Sequence, residues 1–256
     1  MSELHDQGAD VQRRARPLLG TLVEISLPAE VSPACFEAAF AAIGQVQGAL
    51  SRFEPDSELS RFHALATGES LALQPLSQRV FAAAAWLQAQ SEGLFDISQG
   101  SAPQGWRLQG GRLHKLASEV ALDLGGLAKG YAVDRAVAAL RRCGAAWVAV
   151  NAGGDLRVSG PRPVALQLRD EEQGAVRPFA ELCNGSFATS CYLPHSRSRL
   201  FQAAAGQRSP ARHVSVAAPR CLWADALCKI VAASGDASHP LLSRLQAQAW
   251  LHGETT

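Results

Sequence analysis

From Leu19 to Leu27 the chain alternates, with Thr21, Val23, Ile25 and Leu27 on one side and Leu22, Glu24 and Ser26 on the other, which predicts a strand. Ser32-Pro33 then opens a helix on which Phe36, Phe40, Ile43 and Leu50 recur at helical spacing. A Pro-Asp-Ser turn at 55–57 precedes a further helical stretch, and Ser77 to Ser91 reads as an alanine-rich helix that Gly93 can cap. Leu94 to Gln104 reads as loop. A helix is expected from Gly126 to Cys143, with Leu127, Tyr131, Val137 and Leu140 as its buried stripe and Gly144 as its stop. Ala146 to Val150 reads as a short buried strand that ends on the turn Asn151-Ala152-Gly153-Gly154-Asp155. Strands are expected at 163–169, 186–190 and 213–217, then a helix from Trp223 to Ser234 closed by Gly235, and a last helix opened by Pro240. Residues 1–16 are polar and expected to be mobile, which leaves 17–256 as a single domain. Strands and helices mixed without regular βαβ alternation, with neither a solenoid-period repeat nor a low-complexity linker, give an α+β class.

Composition narrows the functional classes. At 256 residues and 47% hydrophobic content the chain can bury a sizeable core. A net charge of +1 gives no field that would make nucleic acid or an anionic membrane the main partner. No run reaches the roughly 18 apolar residues of a membrane span and no export signal is legible, so the cytoplasm is the expected compartment. The six cysteines, Cys35, Cys143, Cys183, Cys191, Cys221 and Cys228, lack C-x-x-C spacing and read as free thiols. Only three of the 24 basic residues are lysine, namely Lys115, Lys129 and Lys229. In so arginine-rich a chain, a lysine can mark a place where a compact ammonium is wanted instead of a planar fork.

Three segments carry candidate chemistry. In Asp123-Leu124-Gly125-Gly126-Leu127-Ala128-Lys129-Gly130-Tyr131-Ala132-Val133-Asp134, two glycines at a helix start let the backbone approach a ligand, free N–H groups point outward, and a lysine lies in the first turn. That outlines an anion site or a plain glycine-rich loop; it is neither a P-loop nor G-x-G-x-x-G. Asp225 and Lys229 are four apart and share a helix face, as an ion pair would. Asp155 either orients a ligand or caps its turn.

Taken in order, these pieces resemble the ApbE family of FAD:protein FMN transferases. Leu19-Gly20-Thr21 is similar to the family's Met-Gly-Thr, and Phe53 to His63 resembles its Tyr-x-x-x-Ser-Glu-(Ile/Leu)-Ser-Arg-Leu-Asn. Phe95-Asp96, the segment Asp123 to Asp134, Asn151 to Asp155, Ala188-Thr189-Ser190 and Ala224-Asp225-Ala226-Leu227 follow in family order. The resemblance implies mixed sheets with flanking helices, an FAD site, and magnesium beside the pyrophosphate. It also implies transfer of the FMN part of FAD to a Thr or Ser hydroxyl of an acceptor protein, with release of AMP. Carried over, Leu19, Phe53, Phe95, Asp96, Asp123 and Lys129 would contact the flavin nucleotide, and the carbonyl of Gly126 with the carboxylate of Asp225 would hold the metal.

The likeness has two gaps. Lys229 stands where the family has a threonine metal ligand, and a protonated ammonium cannot ligate a cation. Aligned on Gly206, the family's catalytic histidine falls on Arg199 and the following aspartate on Gln202; His195 or His213 lies close enough in sequence to substitute. Three functions therefore stay open: a transferase, a flavin-binding or protein-interacting relative without turnover, and a hydrolase splitting FAD to FMN and AMP.

Overall fold

The first strand lies where polarity predicts a mobile segment. The computed structural model describes residues 10–169, 176–192 and 213–252, and in it Val11–Leu18 form β1, paired antiparallel with β2 (Thr21–Pro28). Arginines hold the strand in place. Those of Arg14 and Arg16 lie 5.0 and 4.5 Å from the ring centroids of Phe36 and Phe40 on α1 (Ala34–Leu50), and both reach Glu37. The connection is the two-residue turn Leu19-Gly20, both at positive φ (56° and 70°). Such turns match the twist of the flanking strands, and here the strain of a positive φ falls on a leucine. The N–H of Leu19 donates to Gln47 Oε1 at 2.8 Å, tying the turn to α1.

The remaining elements, in order, are α2 (Glu58–His63), β3 (Ser70–Ala72), α3 (Pro75–Gln90), β4 (Trp106–Gln109), β5 (Arg112–Lys115), α4 (Ala128–Arg142), β6 (Val148–Ala152), β7 (Asp155–Ser159), β8 (Val164–Arg169), β9 (Val176–Leu182), β10 (Ser186–Cys191), β11 (His213–Ala218), α5 (Cys221–Ser234), α6 (Pro240–Arg244) and β12 (Gln248–His252). Seven strands form one antiparallel sheet in the order β1-β2-β6-β7-β10-β11-β12. Its alternation serves two cores. Val148, Val150 and Ala152 of β6 face the large core with α1, α4 and α5, while Trp147 and Ala149 face a smaller one with Val164, Leu166, Leu168 and Leu182 of the β8–β9 hairpin. A three-stranded sheet, β3-β5-β4, packs beside α3.

The expected helices form with shifted ends. α4 begins at Ala128 rather than Gly126 because residues 125–127 are spent in a turn, in which Asp123 Oδ1 accepts from the Gly125 N–H at 2.7 Å and the Leu124 carbonyl accepts from Leu127 and Ala128. α4 then crosses the start of α5 so closely that a Cβ on Gly130 would lie 2.3 Å from the carbonyl oxygen of Cys221, a contact only glycine allows. Asp134, one turn further along α4, accepts from the N–H groups of Cys221 and Leu222 at 3.0 and 3.1 Å and from Arg157 at 2.5 Å, so it caps α5 from another helix. Cys35, Cys143, Cys183, Cys221 and Cys228 are free thiols. Among the described residues no helix is long and apolar enough to cross a membrane.

At the β11–β12 edge the rings of His213 and His252 lie 4.7 Å apart; Thr189 Oγ1 is 2.9 Å from His213 Nε2, and Ser215 Oγ is 2.9 Å from His252 Nε2. Burial first, then the neighbouring His213 and Arg177, push the pKa of His252 down to about 4 from its ordinary 6.5. In this window the unfolded chain takes up a proton that the folded one refuses, so stability falls as pH drops from 6.5 towards about 4. Discounted for the exposed half of the ring, the loss is about 1 kcal/mol. Urea unfolding of wild type and His252→Gln across that window checks it, the variant lacking this part of the slope.

Candidate functional site

A cavity of about 440 Å³ opens between the β1–β2 turn, the C-terminal end of α1 and the start of α4. Leu19, Val46, Leu50 and Leu59 make its apolar wall, and Arg52, Asp123 and Lys129 give it charge. Phe53, 81% exposed, stands at this wall with the Arg52 guanidinium 4.8 Å from its ring centroid. Arg52 also reaches Asp123 at 3.4 Å. A half-open hollow with an apolar wall, an exposed aromatic ring and charged groups of both signs, Arg52 and Lys129 beside Glu54 and Asp123, suits a planar ring system with a polar tail.

Local chemistry positions this wall. Ser57 caps α2 by accepting from the Ser60 N–H at 3.0 Å and donates to the Ser51 carbonyl at 2.6 Å, which folds 51–57 back over the end of α1. Glu58 is buried and accepts from the Gln74 N–H at 2.7 Å and from the Ser77 hydroxyl, binding α2 to the start of α3. His63 Nε2 accepts from the Leu122 N–H at 2.8 Å, which sets the segment entering Asp123. Burial first, then Lys115, lower the pKa of His63, in keeping with a neutral acceptor ring.

Behind the cavity α4, α5, β7 and β10 bring four charges together. Lys129 pairs with Asp155, and Lys229 pairs with Asp225. The other oxygen of Asp225 accepts from the Gly130 N–H at 3.2 Å, and Lys229 Nζ lies 3.4 Å from Ser190 Oγ. Asp225 is wholly buried; burial works against its charge, but Lys229, Lys129 and the hydrogen bonds hold its carboxyl below the usual range. Burial also opposes the charge of Lys229, and the carboxylate of Asp225 overcomes it, keeping the ammonium firmly protonated. For Asp155 burial and the nearby Asp225 outweigh Lys129, so its carboxyl is raised. The array resists losing any one member.

The structure brings most of the sequence-expected residues to one place. Leu19, Phe53, Asp123 and Lys129 line the cavity. Gly126 and Asp225 converge on Lys229: a Cβ on Gly126 would lie 3.1 Å from Lys229 Cε. Phe95 and Asp96 lie apart from this cavity. Phe95 is buried in the large core, and Asp96 is spent on its own loop, accepting from Ser98 N–H, Ser98 Oγ and Gly100 N–H at 2.7–2.9 Å; neither lines the cavity. The expectation of outward N–H groups at the α4 start also changes, because those of Gly125, Leu127, Ala128 and Gly130 are taken by Asp123, Leu124 and Asp225. Positive charge here comes from lysines more than from a helix end.

A divalent metal does not fit these residues. Both oxygens of Asp225 already accept hydrogen bonds, one from an ammonium, and among the described residues no group of three or more His, Cys, Asp or Glu could hold an ion. His213 faces Thr189 and does not line the cavity. His195, Arg199, Gln202 and Gly206 lie outside the described residues. Sequence reasoning assigned no role to Asp134 or His63, whose partners are 87 and 59 residues away, beyond any local pattern.

Comparison with known proteins gives this geometry its context. The chain is 25% identical over 181 residues to an FAD:protein FMN transferase of Vibrio cholerae serotype O1, a match spanning 57% of this chain and 54% of that relative. It superposes on Flavin Transferase ApbE from Vibrio cholerae with a TM-score of 0.80 at 19% identity, covering 95% of this chain and 94% of the other. For the Pseudomonas stutzeri flavinyl transferase ApbE in its apo form the values are 0.81, 22%, 98% and 94%. For the ApbE protein of Thermotoga maritima they are 0.81, 20%, 94% and 94%. At these identities the superpositions establish the fold, an α+β arrangement of mixed elements. The model of the ApbE family matches residues 19–119 and 107–251, well over half of the sequence, and the chain belongs to that family.

Proposed function

We propose that this protein binds FAD in the cavity between the β1–β2 turn, α1 and α4, and transfers its FMN part to a Thr or Ser hydroxyl of an acceptor protein. The observation that carries the reading is the convergence of Leu19, Phe53, Asp123 and Lys129 on one half-open hollow. The activity is that in the name of the Vibrio cholerae relative. The hydroxyl oxygen forms a bond to the flavin-side phosphorus, the P–O bond of the pyrophosphate bridge breaks, AMP leaves, and the hydroxyl proton passes to solvent or a base. In such a displacement the protein contributes chiefly positioning and charge neutralisation. Phe53 and the apolar wall would hold the ring system, while Lys129 would face the phosphates.

Lys229 favours a second reading, a flavin-binding relative without turnover, because it occupies the place that the resemblance gives to the metal. Incubation with FAD and a target carrying a flavinylation motif, read by in-gel flavin fluorescence, separates the two. Label on the target supports the transferase; FAD binding without label supports the second reading; AMP released without an acceptor marks a hydrolase. Absence of any flavin binding rejects all three.

Phe53→Ala tests the cavity assignment itself. With the ring 81% exposed, the substitution should change folding stability by less than about 0.5 kcal/mol. It should weaken FAD binding about tenfold through lost stacking. Unchanged affinity in a flavin fluorescence titration would place the ring system elsewhere.

A further inference from the structure

We propose that the ammonium of Lys229 stands in this chain where a divalent ion would stand, so that the site binds a pyrophosphate-bearing nucleotide without metal. The inference rests on the flavin-nucleotide reading and deepens it. Lys229 lies one helical turn after Asp225 on α5, and its stem runs along Gly126, with Cε, Cδ and Cγ at 3.1, 3.5 and 3.5 Å from where a Cβ on that glycine would be. Gly125, the next residue back, lines the cavity. The lysine thus fills the space between the two groups, the Gly126 backbone and the Asp225 carboxylate, from which a hard cation would draw its oxygens.

Charge and donor arithmetic agree. Lys129 and Lys229 against Asp155 and Asp225 sum to zero, so the four side chains need no added cation. A magnesium ion would have to evict an ammonium from Asp225 and then find near-octahedral oxygen ligands, where no cluster of three or more ligating side chains exists among the described residues. An ammonium carries three donors. Asp225 and Ser190 take two of them among the described residues, which leaves one donor; Lys229 lies behind the cavity wall, next to Gly126, so a phosphoryl oxygen would have to pass Gly125 to meet it. A lysine acting as a point charge is a common phosphate partner.

The test uses the purified full chain and FAD itself, titrated by flavin fluorescence in excess EDTA and again in millimolar MgCl2. The expected result is one affinity, the same within about twofold in the two buffers. In a metal-only titration followed by the spin resonance of Mn²⁺, the wild type should take up no ion, while Lys229→Thr should bind one and should bind FAD more tightly in MgCl2 than in EDTA. Should Lys229→Thr fail to fold, the two wild-type measurements still decide. Magnesium tightening wild-type FAD binding by about tenfold or more, or Mn²⁺ bound by the wild type, would overturn the inference while leaving the nucleotide reading intact. Failure of FAD to bind in either buffer overturns the nucleotide reading and this inference with it.

Discussion

Asp225→Ala is expected to destabilise the protein by about 3–5 kcal/mol, the cost of leaving one partner of a buried ion pair uncompensated. The carboxylate is wholly buried and serves two donors, the Lys229 ammonium and the Gly130 N–H. Its removal strands a part-buried positive charge and a buried amide at the place where α4 crosses α5 most closely. The loss should be largely coupled to the lysine. Asp225→Ala combined with Lys229→Met should recover a good part of it, since an apolar side chain of similar length asks for no partner. Urea midpoints for the wild type, the two single variants and the double variant give the coupling; additive losses would mean that the two side chains are not an energetic unit.

Asp134→Ala should cost about 3 kcal/mol, for a different reason. This carboxylate, 5% exposed, closes the first two N–H groups of α5 and neutralises Arg157, with Arg220 at 3.6 Å. Losing a helix cap alone costs about 1 kcal/mol, and the unpaired, part-buried guanidinium adds to it. Asp134→Asn keeps an acceptor for the helix but drops the charge, so it should lose roughly half as much. Equal losses for the two variants would show that the charge carries the whole effect. Asp225 lies one turn into the same helix, so this cap also governs how its carboxylate is aimed.

Which parts of the molecule were legible in advance follows from what each element is held by. α1, α4 and α5 carry their apolar stripes in the sequence, and β6, buried on both faces, reads as an apolar run as far as Val150, its last two residues falling in the expected turn. β1 was not legible because its stabilisation comes from arginines lying over Phe36 and Phe40, a long-range contact that polarity alone reads as mobility. β3, β4 and β5 are only three or four residues each, too short for alternation to show. In the site, the scarcity of lysine was the useful signal. All three lysines turn inward, Lys115 to the His63 carbonyl, Lys129 to Asp155 and Lys229 to Asp225. Asp96 shows the opposite case: a carboxylate inside a recognisable motif whose capacity is consumed by its own loop.

The sequence of β1 has one more effect. Among the described residues β1 is an outer strand of the seven-stranded sheet, and its other side offers backbone donors and acceptors of the kind a further strand pairs with. Arg14 and Arg16 stand on the helix-covered face beside that rim, Arg13 bonds Ser26 as part of the same strand, and Pro17 withholds one N–H. A further strand arriving there would meet a ladder interrupted at Pro17. The proline next to the turn thereby makes this rim a poorer template for pairing than an unbroken strand would be.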